Sequence, residues 1–158
     1  MKSRVYIETS VISYYTAKLS KDIRTLSRQE TTIDWWEDEM NKFNCFISLA
    51  VIEEIPKGNP LEAEKRLKAS EKLPILAEKV EIMALAEKYF SKLNIPEKSK
   101  YDTIHIAYAS FYEVEYLLSW NMKHISNPRT QSALIDLNLE LNLKTPLLIT
   151  PEALMEIS

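Results

Sequence analysis

Four short apolar runs set the frame of this chain: residues 4–7 (RVYI), 44–48 (NCFIS), 115–119 (EYLLS) and 146–150 (PLLIT). Each ends in polar residues and is followed by a helical pattern. Strands buried on both faces of a parallel sheet read as near-continuous apolar runs. Runs of this kind alternating with helices predict an α/β fold of about five mostly parallel strands flanked by helices. Residues 73–76 (LPIL) are a weaker candidate, extended at best.

Between the strands the pattern is helical. Val11, Ile12, Tyr14 and Tyr15 continue from Glu8-Thr9-Ser10 as a first helix. Residues 19–43 read as a long helical region in two pieces, broken near Ser20 or Arg28, with Thr31-Thr32-Ile33-Asp34 as the start of the second. A helix over 49–55 carries Glu53 and Glu54, and residues 56–60 (PKGNP) are the clearest turn. An amphipathic helix over 61–72 is expected to show a solvated acid–base face. A further helix over 78–93 is expected to point Val80, Met83, Ala84 and Phe90 to the core. Residues 94–99 form a loop, and helices close the chain over 128–143 and 151–157. The 158 residues suit a single domain, 1–158.

Composition excludes several functions. With Gly58 as its single glycine, the chain can hold neither G-x-G-x-x-G nor a Walker-type phosphate loop. The net charge of −3 is not that of a protein that grips nucleic acid by bulk electrostatics. A nuclease built on clustered acids and a cation remains open. No run approaches the ~20 apolar residues of a membrane span, and the first residues lack a signal-peptide core. The lone Cys45 has no internal disulfide partner, so a cytoplasmic location is expected.

The chemistry gathers at strand ends. Glu8 follows the first strand, Glu54 lies one turn into the helix after the second, and Ser119 and Asn121 follow EYLLS. In an open parallel sheet these positions converge at the carboxyl edge. Asp102 opens the helix of YDTIHIAYA and shares a face with His105, Ile106 and Ala109. A carboxylate on such a face needs water, hydrogen bonds or a cation. Clustered carboxylates raise one another's pKa unless a cation sits among them. Mg²⁺ and Mn²⁺ suit all-oxygen donors. Such an ion lowers the pKa of water and steadies a phosphoryl oxygen, which implies in-line attack on a phosphodiester.

On four stretches the chain resembles the PIN-domain proteins, and more narrowly the VapC-like toxins of toxin–antitoxin systems. These are Tyr6-Ile7-Glu8-Thr9-Ser10-Val11-Ile12, Ser48-Leu49-Ala50-Val51-Ile52-Glu53-Glu54-Ile55, Asp102-Thr103-Ile104-His105-Ile106-Ala107 and Leu117-Leu118-Ser119-Trp120-Asn121. The resemblance spans nearly the whole chain. It implies a PIN-like three-layer fold and a Mg²⁺-dependent endoribonuclease, with Mn²⁺ able to substitute. It further implies a homodimer held in check by a cognate antitoxin. The family's acidic positions fall on Glu8, Glu54 and Asp102, expected to bind the metal, and its fourth catalytic position falls on Asn121. Two departures stand out: the first position is usually aspartate, and the fourth is often an acid where this chain has an amide. They keep open a weak or inactive PIN-like binding or dimerisation module. A nuclease acting on DNA is a further alternative. One firmly held ion is expected, with a second arriving only with the phosphate.

Each residue also has a plainer reading. Asp102 can serve the helix dipole, Glu53 and Glu54 a solvated face, and Asn121 the cap of the following turn. Thr9, Ser10 and Ser119 read as hydrogen-bond partners of the acids, or as turn caps. His105 reads as a satisfied core histidine, since nothing nearby completes a zinc site. Lys123 and His124 could meet a phosphate or be ordinary loop charges. Trp35, Trp36 and Trp120 could stack on bases, but core or interface packing is the commoner use. Tyr6, Tyr14, Tyr15 and the tryptophan pair suggest an apolar surface for a second copy. The acidic balance favours a structured, specific RNA over any RNA at large.

Overall fold

In the structure, a computed structural model describing all 158 residues, the apolar runs form one five-stranded sheet. Its strands are β1 (Arg4–Ile7), β2 (Asn44–Ser48), β3 (Ile75–Leu76), β4 (Tyr116–Leu118) and β5 (Leu147–Ile149), in the order β3-β2-β1-β4-β5. Every pairing is parallel. Val5, Tyr6 and Ile7 of the central strand have no exposed surface. That is the burial an uninterrupted apolar run predicts for a parallel strand covered on both faces. The α/β fold is as expected from the sequence, and its layers fit a PIN-like three-layer arrangement.

Eight helices flank the sheet: α1 (Thr9–Thr16), α2 (Ile23–Asp34), α3 (Leu49–Glu54), α4 (Pro60–Ser70), α5 (Val80–Lys92), α6 (Lys100–Phe111), α7 (Pro128–Glu140) and α8 (Pro151–Ile157). α4, α7 and α8 each begin with proline behind a capping Asn59, Asn127 or Thr150. There the missing N–H costs nothing and the cap satisfies a free donor. With glycine so scarce, the chain leaves three helices through left-handed Asn94, Glu113 and Asn142, at φ of 56°, 51° and 56°.

The chain runs from β1 outward to β2 and β3, then returns to the other side of β1 for β4 and β5. The switch between β1 and β4 opens a crevice at their carboxyl ends, where ligands of open α/β sheets bind. The ladder continues past the last paired residues, since Glu8 N–H donates to Leu118 O at 3.0 Å. Glu8 is thereby fixed at the mouth of the crevice.

Several expectations need correction. Of the two expected break points, Ser20 lies in the gap between α1 and α2, whereas the helix runs unbroken through Arg28. It begins at Ile23, where the Asp22 carboxylate accepts the Thr25 N–H at 2.9 Å, and runs through Thr31 and Thr32. Those hydroxyls bond back to Ser27 O and Arg28 O, four residues earlier, so they sit inside the helix instead of capping one. From Trp35 the helix widens into a π turn, then tightens to a 3₁₀ turn before β2. The buried stripe of α5 is Ile82, Leu85, Ala86 and Tyr89, not Val80, Met83, Ala84 and Phe90; Val80 is 84% exposed. Both stripes have helical spacing, and packing against α6 selects the one whose Tyr89 hydroxyl reaches buried Asn138 Oδ1. The weak 73–76 run supplies the short edge strand β3. Tyr6 and Trp35 lie wholly inside the chain and cannot face a second copy. Tyr14, Tyr15 and Trp36 keep partial exposure, with the Tyr15 and Trp36 rings stacked at 4.6 Å.

Candidate metal centre

Two helix starts, the last turn of a third helix and one strand end meet at the crevice. Glu8 leaves β1 in extended conformation and caps α1, its Oε2 accepting the Ser10 N–H at 3.1 Å. Its Oε1 accepts hydroxyl bonds from Ser10 at 2.5 Å and from Ser119 at 2.6 Å. Glu8 is only 6% exposed, so these donors replace the water it has lost.

Glu54 reaches in from the last turn of α3, while its neighbour Glu53 stays exposed. Thr9 Oγ1 donates to Glu54 Oε1 at 2.5 Å, and His105 Nε2 meets the same oxygen at 2.6 Å. His105 has no exposed surface. Its Nδ1 lies 2.6 Å from Tyr6 Oη, which lies 2.7 Å from Ser48 Oγ. Ser48 in turn caps α3 by accepting the Ala50 N–H. A carboxylate can only accept, so Nε2 carries a proton in either charge state. The hydroxyls of Tyr6 and Ser48 can both reverse, so Nδ1 is satisfied whether it accepts or donates.

Asp102 comes from the first turn of α6. Its Oδ2 accepts from Asn121 Nδ2 at 3.0 Å, and Asn121 Oδ1 accepts the His124 N–H at 3.0 Å. Asn121 therefore both caps its turn and holds the acid.

Ligand atoms of Glu8, Glu54 and His105 all lie within 4.8 Å of one another. Asp102 stands beside this trio and feels its charge. Burial, then the Glu8 charge, pushes the Asp102 carboxyl from 3.8 up to about 6, against the pull of His105 and the Asn121 hydrogen bond. Burial works against a charged His105, but its contact with Glu54 outweighs this and holds the imidazole above its ordinary value. Burial also opposes ionisation of Glu54, yet the hydrogen bonds and charge from His105 and Thr9 hold it below its ordinary value.

This donor set fits a metal ion. Hydroxyls, an amide and one imidazole serve the acids, and Asp102, raised first by burial and then by the Glu8 charge, would be held ionised by a cation bound among them. The four acid-site positions read from the sequence, Glu8, Glu54, Asp102 and Asn121, are brought together, and Thr9, Ser10 and Ser119 each bond one of the acids. Sequence reading placed His105 in the core but missed its contact with Glu54; its spacing of three from Asp102 was the available signal. Trp35 and Trp120 are buried, the Trp120 indole donating to Thr32 Oγ1 at 2.7 Å, so neither offers a face to a base. No helix is long and apolar enough to cross a membrane.

Fold and site together define an α/β protein with a buried carboxylate–imidazole cluster, able to hold a metal ion at the carboxyl edge of a parallel sheet. A scan of protein-family models finds none that matches the chain, and a search of curated proteins finds no match either.

Proposed function

We propose that the protein is a metal-dependent endoribonuclease of the PIN type. The observation that carries this is the approach of the Glu8 and Glu54 carboxylates and His105 to within 4.8 Å at the sheet's switch point, with Asp102 close enough to feel their charge. Glu8, Glu54 and Asp102 would hold Mg²⁺, or Mn²⁺ in its place. When bound, the ion would supply Lewis acidity toward a phosphoryl oxygen and a water of lowered pKa. The chain's own residues set the geometry. Thr9 and His105 fix the Glu54 carboxylate, Ser10 and Ser119 fix that of Glu8, and Asn121 fixes Asp102. The resemblance to VapC-like toxins supports a cognate antitoxin and a homodimer as further parts of this reading.

A specific observation favours a second reading. Glu8 already receives three hydrogen bonds, from Ser10 N, Ser10 Oγ and Ser119 Oγ. A carboxylate so well satisfied can serve purely as a helix cap, which would leave a PIN-like binding or dimerisation module.

The test is incubation of the purified protein with total cellular RNA and Mn²⁺, beside an EDTA sample and Asp102→Asn. Discrete cleavage lost in both controls supports the nuclease. Intact RNA, with no Mn²⁺-dependent rise in melting temperature, favours the binding module. A matched DNA strand cut equally well would move the substrate from RNA to nucleic acid at large.

A further inference from the structure

A cavity of about 730 Å³ opens between the carboxyl end of α5 with its following loop and the turn that joins β4 to α7. Its thirteen lining residues include Lys92, Lys123 and Arg129 and no carboxylate. In a chain with 23 acids against 20 bases, such one-sided lining is not what an arbitrary surface gives. None of these cations has an acidic partner within 4.0 Å. His124, also in the lining, is held below its ordinary value by burial and then by Lys123 and Lys98, as expected in a positive local field. The cavity is joined to the acid cluster through one residue: Asn121 holds Asp102 with its amide and the His124 N–H with its carbonyl oxygen.

We propose that this cavity seats the backbone phosphates of a single-stranded RNA segment that leads to the acid cluster. The last clause rests on the nuclease reading; the phosphate seat does not. Lys92, Lys123 and Arg129 supply the charge that the chain as a whole lacks. Ile95 and Met122 line the same hollow. With the His124 ring they offer an unpaired base an apolar and stacking wall, which a duplex could not use because its bases are stacked inward. The metal would draw in one phosphate, and this hollow would hold its neighbours, so an acidic protein could bind RNA at one place only.

The experiment is fluorescence anisotropy with a labelled twelve-nucleotide single-stranded RNA, in EDTA so that cleavage plays no part. Wild type is compared with Lys92→Gln/Lys123→Gln/Arg129→Gln and with Lys18→Gln/Lys21→Gln/Lys68→Gln. Both triples change the net charge equally, and the second set lies outside the cavity lining. The cavity triple is expected to lose about tenfold or more in affinity, and its log K against log salt slope to flatten by about 2. The other triple is expected to stay within about twofold of wild type. Equal weakening by both triples overturns the proposal, as does wild type that fails to bind. Binding as expected with no cleavage under Mn²⁺ would sink the nuclease reading and leave the phosphate seat standing.

Discussion

The imidazole of His105, with no exposed surface, meets the Glu54 carboxylate at 2.6 Å, and each holds the other in its charged form. His105 is raised above 6.5, so its contribution to stability is complete below that pH and fades as pH rises through the folded value. Glu54 is lowered below 4.5, so its contribution is complete above that pH and fades as pH falls through the folded value. The pair therefore contributes most between pH 4.5 and 6.5. His105→Gln should cost most stability inside that window and progressively less at alkaline pH. Thermal unfolding of both proteins at pH 5.5 and pH 9 checks this, and an equal deficit at the two would contradict it.

Asp102 has the opposite sign. An acid raised from 3.8 to about 6 by folding is more stable protonated, so the metal-free protein loses stability as pH rises through that interval. The shift amounts to at most about 3 kcal/mol. Asp102→Asn keeps an oxygen for the Asn121 amide and removes the charge. It should raise the melting temperature in EDTA at pH 7.5 and change it little at pH 4. Saturating Mn²⁺ should reverse the order at pH 7.5, because only the acid gains a metal bond.

Tyr6 joins Ser48 to His105 through one hydroxyl buried in the core. Tyr6→Phe keeps the ring and leaves His105 Nδ1 without its partner. The expected cost is about 1–3 kcal/mol, the usual loss for a buried polar group left unpaired. Urea unfolding with an unchanged slope would be the supporting result, and a loss near zero would mean that water replaces the hydroxyl.

Glu113 ends α6 in the left-handed region at φ 51°. Glycine adopts that region freely, so Glu113→Gly should stabilise the fold by roughly 0.5–1 kcal/mol after the extra freedom of the unfolded chain is subtracted. Asn142→Gly, at φ 56°, should gain less, because asparagine tolerates the conformation. Chemical denaturation of the two variants side by side decides the ranking.

Sequence legibility followed the range over which each feature is determined. RVYI, NCFIS, EYLLS and PLLIT could be read as strands because burial on both faces leaves an apolar run that needs no partner to recognise it. The face of α5 could not, because Val80–Met83–Ala84 and Ile82–Leu85–Ala86 both repeat at helical spacing and only the position of α6 chooses between them. Of the two break points expected, Ser20 matches the gap before α2, but Arg28 does not, because threonine signals a cap in isolation whereas Thr31 and Thr32 turn their hydroxyls back along the helix. At the site, Glu8, Glu54 and Asp102 stood out as acids beside apolar runs. The Tyr6–His105–Glu54 chain did not, since its members lie 99 and 51 residues apart and meet only through the sheet order.

The acid cluster draws on β1, α3, α6 and the turn after β4, and Glu8 is tied to Ser119 across 111 positions of chain. During synthesis Glu8 has only its neighbour Ser10 as a partner while more than half of the protein is made. No amino-terminal fragment ending before Ser119 contains both sides of the crevice. A ribosome carrying such a fragment, or a protease releasing one, therefore presents the cell with a chain whose acid cluster has not yet been assembled.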